Sequence, residues 1–187
     1  MFQNLLLDTS RLLIRNFTMG DLHDLHTILN NEEVLRYLPD DPMSPDRASL
    51  MLKWIIDCYR KNTPDNIIKF TCAVDHKADH KLIGWCGLGP LEVDPSAIEL
   101  FYGFSTDCWG NGYATEAAQT MLSYGFDTIG LPEIVAVHAP ENVASQKVIS
   151  KLGMIYRKTV TNLPPEFSSY EGDLYYSLTL KEYKELA

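Results

Sequence analysis

Residues 98–118, IELFYGFSTDCWGNGYATEAA, hold the most informative chemistry of this chain: an apolar strand runs into a turn bracketed by Gly110 and Gly112, and the turn opens directly into a helix. Glycines let the backbone approach an anion with no Cβ in the way. The first N–H groups of the helix lack an intrahelical partner and face that anion with the positive end of the helix dipole behind them. The spacing therefore predicts a phosphorylated small-molecule ligand. A dinucleotide fingerprint would add a third glycine after Gly110 and Gly112 and an acidic residue at the end of the next strand. Here Thr115 takes the third position, and Asp127 follows the helix with no strand between. A Walker loop needs Gly-Lys-Ser/Thr, a triplet absent from the chain.

Trp109-Gly110-Asn111-Gly112-Tyr113-Ala114 resembles the pyrophosphate loop of the GNAT N-acetyltransferases, usually Gln/Arg-x-x-Gly-x-Gly/Ala, with Trp109 in place of the first polar residue. The form Trp-Gly-x-Gly-x-Ala-x-Glu-Ala, which continues here through Glu116 and Ala117, is similar to the branch of Rim-type ribosomal-protein N-terminal acetyltransferases. Asn142-Val143-Ala144-Ser145 and Lys151-Leu152-Gly153-Met154 resemble that branch's Asn-x-x-Ser and Lys-Leu-Gly-Phe segments, with Met154 for the aromatic. Thr9-Ser10-Arg11-Leu12-Leu13-Ile14-Arg15 matches its opening strand, so the resemblance covers nearly the whole chain. It implies a single α/β GNAT domain over residues 1–187, with a mixed, mostly antiparallel sheet, helices on both faces and acetyl-CoA as co-substrate. Backbone N–H groups from Trp109, Gly110, Asn111, Gly112, Tyr113, Ala114 and Thr115 would take the pyrophosphate. By the same resemblance, the strand end at Gly103 and Phe104 would pair with the pantetheine amides where two central strands splay.

Acetyl transfer to an amine needs a deprotonated amine, a held thioester and a proton for the departing thiolate. The resemblance places Glu99 as the base, on the cradle strand in register with Phe101 and Gly103, receiving the amine proton through water. The other reading of Glu99 is a solvent-facing strand carboxylate. His138, ending the following strand, is the alternative base because imidazole titrates near neutral pH, and it also reads as a satisfied loop histidine. Many GNAT enzymes carry a Tyr seven residues after the helix-opening Asn, but here that residue is Ile149. The Rim-type pattern instead makes Ser145 the acid. A first-turn Ser can equally bond its own helix backbone, and Asn142 can cap the helix as well as contact the cofactor. Glu116 is read as a structural carboxylate complementing the helix dipole. Trp85, Phe101, Tyr102 and Tyr113 are read as core or sheet-face aromatics with no catalytic role. Direct attack of the amine is expected, with a covalent route through Cys86 or Cys108 as the lesser alternative.

These residues need elements to hold them. Residues 11–15 read as a first strand. Thr18 and Asp21 start a helix with Leu22, Leu25 and Leu29 on one face. Ser44-Pro45 starts a second with the stripe Ala48, Met51, Leu52, Ile55 and Tyr59, and these two helices are expected to flank the acceptor cleft. Glu32 to Met43, with Pro39 and Pro42, reads as an ordered loop. Strands are predicted near 67–74, 81–88 and 98–104 as an antiparallel meander with turns at 75–80 and 90–95. Ala114, Ala117, Ala118, Met121, Leu122 and Gly125 repeat as one helix face. A strand at 134–137, a short helix from Asn142 ended by Gly153, and strands at 154–159 and 174–180 complete the set. Residues 161–172 read as a long loop closing over the site.

With 187 residues, 45% of them hydrophobic, the chain can bury one sizeable core. The N-terminal MFQNLLLDTSR lacks a secretory leader's basic start and no long apolar run follows, so a cytoplasmic protein without membrane contact is expected. The four cysteines, Cys58, Cys72, Cys86 and Cys108, are not spaced as metal ligands and read as reduced small hydrophobes; no metal is expected. A net charge of −9 at pH 7 argues against nucleic acid and suits a basic acceptor. The acceptor expected first is a protein N-terminal amine. A polyamine, amino acid or aminoglycoside stands second; a non-catalytic acetyl-CoA sensor is the reading from a different class, and a flavin- or nucleotide-binding protein is the third. Either a monomer or a homodimer is compatible.

Overall fold

The computed structural model describes residues 1–37 and 42–186. Its strands are β1 (Leu6–Asp8), β2 (Leu12–Asn16), β3 (Phe70–His76), β4 (Lys81–Leu91), β5 (Asp94–Phe104), β6 (Glu133–His138), β7 (Ile155–Thr159) and β8 (Leu174–Thr179). They form one eight-stranded sheet in the order β1-β2-β3-β4-β5-β6-β8-β7. Every neighbouring pair is antiparallel except β5–β6, which is parallel. The mostly antiparallel α/β architecture expected from the sequence is the one observed. No helix among the described residues is long and apolar enough to cross a membrane.

The helices are α1 (Leu22–Leu29), α2 (Glu32–Leu35), α3 (Pro45–Lys61), α4 (Tyr113–Ser123), α5 (Val143–Lys151) and α6 (Leu180–Leu186). Thr18 donates to the Asp21 carboxylate from both its N–H and its hydroxyl, winding a 3-10 turn that leads into α1. Ser44 accepts from Arg47 N–H with Pro45 in the first helical turn, and Ala48, Leu52, Ile55 and Tyr59 are buried as the stripe requires. The segment expected as a loop holds α2, because Asn31 Oδ1 accepts from the N–H groups of Glu33 and Val34. Pro39 lies outside the described residues. A π-helical turn, Tyr124–Ile129, extends α4 and ends at Gly130 with φ 83°. Gly125 sits in that turn against the sheet, where a Cβ would stand 2.6 Å from Ile134 Cδ1. As expected, Gly153 closes α5 with φ 74°.

Several boundaries moved for local reasons. β3 starts at Phe70 because Asn62 Oδ1 accepts from Ile68 and Lys69 N–H while its amide donates to Lys69 carbonyl, holding the preceding residues in a turn. The expected 90–95 turn is tighter, at 92–93, with Pro90 and Pro95 inside strands. The register slips between Pro90 and Leu91, a bulge that tolerates a residue with no N–H to donate. Strand β1 and helix α6 were not anticipated. They are short, and their large apolar residues Leu6 and Leu186 are exposed.

Alternation along β5 puts Glu99, Phe101 and Gly103 on one face and Leu100, Tyr102 and Phe104 on the other. The first face joins Trp85 and Gly87 of β4 beneath Leu25 of α1 and Met51 and Ile55 of α3. Leu88 faces the other way, within 3.1 Å of a Cβ built on Gly125 at the end of α4. Helices thus cover both faces of the sheet.

Candidate functional site

β5 and β6 pair at one register position, Glu99 opposite Val135. Beyond it, Leu100 to Phe104 of β5 are paired in the sheet only with β4. The parallel pair is therefore forked, and an unpaired edge of β5 leads to the glycine turn. Gly110 (φ 77°) and Gly112 (φ 79°) both occupy the left-handed region, where a side chain would strain the backbone. The first bond of α4 runs from Glu116 N–H to Gly112 carbonyl. Tyr113, Ala114 and Thr115 consequently present N–H groups with no partner inside the helix, as an anion site requires. Trp109 contributes differently from the expectation: its N–H bonds Thr106 carbonyl, and its indole Nε1 donates to Phe104 carbonyl at 2.9 Å. These bonds lock the turn to the end of β5 and leave donation to the residues after it. Asn111 Nδ2 donates to the carbonyls of Cys108 and Trp109, bracing the same turn.

The cradle is clasped from the N-terminal side. Glu116 accepts from Thr9 Oγ1 (2.6 Å), Ser10 Oγ (2.9 Å), Arg11 N–H (3.0 Å) and Arg11 Nε (2.7 Å). Arg11 Nη1 donates to Asn111 carbonyl at 2.8 Å, and its guanidinium lies over the Tyr113 ring. Burial alone would raise the Glu116 pKa, but these donors outweigh it and hold it at about 2. A carboxylate depressed from its ordinary 4.5 contributes stability present above that value and lost as pH falls toward 2. Glu116→Gln is expected to lower stability by about 1–3 kcal/mol at pH 7, a difference that narrows as pH falls through that window. Urea unfolding at pH 7 and pH 3 measures it, and an unchanged midpoint at pH 7 would remove the clasp.

At the fork a cleft of about 620 Å³ collects Glu99, Tyr102, His138, Asn142 and Ser145. Glu99 is half-buried by exposed area yet walled by protein on nearly every side. Burial raises its pKa to about 7 against the opposing pull of Lys69 and of the Val137 N–H. Asn142 Oδ1 caps α5 by accepting from Ser145 N–H at 3.0 Å. Ser145 Oγ bonds Tyr102 hydroxyl at 2.8 Å, rather than its own helix backbone. Tyr102, given no role from the sequence, is thus part of the site. Burial raises its pKa to about 12 even though Ser145 pulls it down. His138 is 4% exposed. Its Nδ1 lies 2.8 Å from Ala139 carbonyl, an acceptor only, so that nitrogen carries the proton.

The segment 161–172 lines the cleft through Ser169 and Tyr170, and Tyr170 hydroxyl donates to Glu92 at 3.0 Å. Asp173 follows it into the wall, with its pKa raised by burial to about 6. Thr71 of β3 also lines the cleft. No motif marks Tyr102, Asp173 or Thr71; only a predicted sheet order with strand faces could have found them. Cys86 is buried, burial raises the Cys86 and Cys108 thiols, and neither lines the cleft.

An eight-stranded, mostly antiparallel sheet forked at its one parallel pair, with helices on both faces, is the fold of acyl-CoA-dependent acetyltransferases. Residues 11–155 match the family model described as an acetyltransferase (GNAT) domain. The chain belongs to that family and is an acetyl-CoA-dependent acetyltransferase. The uncharacterized N-acetyltransferase YnaD of Bacillus subtilis (strain 168) is 28% identical over 182 residues, 94% of this chain and 97% of that protein. The ribosomal-protein-S5-alanine acetyltransferase of Vibrio fischeri shares the fold with a TM-score of 0.76 at 18% identity, covering 96% of this chain and 98% of that one. A spermidine N-acetyltransferase of Vibrio cholerae, solved with CoA and spermine, shares it with a TM-score of 0.73 at 21% identity, covering 94% and 99%.

Proposed function

We propose that residues 1–187 form one cytoplasmic N-acetyltransferase domain of the Rim-type branch, which transfers acetyl from acetyl-CoA to a primary amine, first of all a protein N-terminal amine. The carrying observation is the placement of a raised-pKa carboxylate, Glu99, and a hydroxyl pair, Tyr102–Ser145, around one forked strand. The chain fits acetyl-CoA: the left-handed Gly110 and Gly112, the three N–H groups of α4 without an intrahelical partner and the edge of β5 from Leu100 to Phe104 that β6 leaves unpaired suit a pyrophosphate followed by amides. The Phe104 carbonyl at the end of that edge is already taken by the Trp109 indole. Acetyl-CoA supplies an acyl group on a thioester sulfur that needs a proton when the C–S bond breaks. Glu99, ionised above pH about 7, takes the proton from the amine through water, leaving the nitrogen lone pair free to attack. Ser145 Oγ–H would supply the proton that the sulfur needs, with Tyr102 O–H donating to Ser145 Oγ and orienting it. Asn142 fixes Ser145 through the α5 cap.

A small polyamine is the second reading, favoured by four carboxylates in the cleft wall, Glu92, Glu99, Glu141 and Asp173. The spermidine enzyme among the structural neighbours accords with it, as the S5-alanine enzyme accords with the first. A thermal-shift titration with acetyl-CoA, CoA, NAD and ATP tests the cofactor. Ligand at 100 times its Kd adds about 2.7 kcal/mol, expected as a rise of about 5–11 °C for a chain of this size. No shift with acetyl-CoA and CoA, or a larger one with NAD or ATP, would sink the cradle assignment. Acceptor assays with N-terminal peptides against spermidine then separate the two readings.

A further inference from the structure

Among the described residues, two buried side-chain polar atoms have no hydrogen-bond partner, Thr71 Oγ1 and His138 Nε2. Both residues line the same cleft. A buried polar atom left unbonded is destabilising, so native chains retain few of them without a reason. Among the described residues nothing in the fold uses the Thr71 hydroxyl, and the cleft that Thr71 lines is also lined by the apolar Phe17, Leu25, Ile55, Trp85 and Phe101. The His138 orphan has a defined character. With the proton on Nδ1 facing Ala139 carbonyl, Nε2 of the neutral imidazole offers a lone pair to an incoming N–H or O–H.

The two orphans lie at opposite sides of the cleft floor. Thr71 of β3 pairs with Gly87 of β4, which pairs with Phe101 of β5, and His138 ends β6 across the fork. Three strand spacings of about 4.8 Å separate β3 from β6 by about 14 Å, and the fork widens that. The floor between them is apolar because glycines let two rings lie flat on the sheet. A Cβ on Gly87 would stand 2.7 Å from the Phe101 ring, and one on Gly103 would stand 2.2 Å from the Trp85 indole. Charge is divided along the same direction. The wall from 139 onward holds Glu141 and Asp173, while the α2–β3 side holds Arg36 and Lys69, with Lys69 Nζ 3.9 Å from the Phe101 ring centroid.

We infer that the acceptor is an elongated primary amine with an apolar body and an uncharged hydrogen-bonding group at its far end. The amine lies at Glu99 and His138, the body lies on Trp85 and along the edge of the Phe101 ring that Lys69 caps, and the far group meets Thr71. This rests on reading the cleft as the acceptor site of the proposed reaction. The shared chemistry occurs in a peptide N-terminus with an apolar first residue and in a free long-chain amino alcohol. A polyamine can place one ammonium among the wall carboxylates, but its far ammonium would be desolvated over the apolar floor at Trp85.

The test assays free CoA release from acetyl-CoA with 10-aminodecan-1-ol, decylamine, the tetrapeptide Phe-Ala-Ala-Ala, spermidine and kanamycin. The amino alcohol or the tetrapeptide is expected to exceed spermidine and kanamycin in kcat/KM by about tenfold or more, and which of the two does so identifies the source. Thr71→Val keeps the shape and removes the orphan, so its Tm should equal or exceed that of the parent. It should raise KM for 10-aminodecan-1-ol about tenfold, as expected for one lost hydrogen bond, and leave decylamine unchanged. Preference for spermidine or kanamycin, equal effects of Thr71→Val on both decyl compounds, or no turnover of either extended acceptor by a protein that acetyl-CoA does stabilise would each overturn the inference. Failure of acetyl-CoA itself to raise Tm would instead sink the reading beneath it.

Discussion

Glu99→Gln is expected to lower amine acetylation by about 10²–10⁴-fold while leaving the thermal shift with acetyl-CoA intact. Glutamine keeps the size and the hydrogen-bond acceptor for Val137 N–H but cannot take a proton. The pH dependence carries the sharper signature. Burial raises the Glu99 pKa to about 7, so kcat/KM in the parent should climb with pH through that value, and the variant should lack the limb. The stability effect has the opposite direction. A carboxyl whose folded pKa is raised contributes stability that is fully present below its unfolded value near 4.5 and is lost as pH rises through 7. Glu99→Gln should therefore match the parent in Tm below pH 4.5 and exceed it above pH 7. A variant that loses activity and Tm together at pH 8 would show Glu99 to be structural. His138 as the base predicts a different result, with the limb surviving in Glu99→Gln and disappearing in His138→Gln.

The parts of this chain that were legible in its sequence are those whose constraint is local. Gly110 and Gly112 must adopt positive φ, Ser44-Pro45 must begin a helix and Gly153 must end one, and each condition is met by the residue's own backbone chemistry or by bonds within a turn. The apolar stripe of α4 was equally readable because helical period and burial coincide. Assignments failed where a distant partner decides. Pro90 and Pro95 argue for a turn on propensity, yet long β4 and β5 carry both prolines by slipping register at the bulge. The start of β3 is set by Asn62, which no strand pattern includes. Glu116 reads locally as a first-turn carboxylate beside the helix dipole, whereas the donors that hold it come from the N-terminal segment. Its partners Thr9, Ser10 and Arg11 lie more than a hundred residues away in the chain, joined to the cradle only because β2 and α4 meet in the fold.

Tyr102 and Ser145, 43 positions apart, illustrate the same limit and supply the second large effect. A tyrosine on a buried strand is by default a packing residue, and nothing near position 102 marks it otherwise. The sheet sets Tyr102 on the face opposite Glu99, the α5 cap sets Ser145 N–H on Asn142, and the two hydroxyls then meet at 2.8 Å. If Ser145 gives its proton to sulfur, Tyr102 must donate to Ser145, since one bond between two hydroxyls uses one proton. Ser145→Ala is expected to lower kcat by about 10²-fold, with little change in KM for acetyl-CoA. Tyr102→Phe retains the ring and its packing, so its Tm should fall by only a few degrees, as one net hydrogen bond requires, while kcat falls nearly as far as in the alanine variant. The double variant should be hardly slower than Ser145→Ala alone, because the phenol acts through the serine and the two losses cannot add. Replacing acetyl-CoA by an acetyl thioester whose thiol has a lower pKa should restore much of the lost rate in both variants, since that sulfur departs without needing the donor. Additive losses, or a deficit indifferent to the leaving thiol, would place the pair in packing rather than in proton transfer.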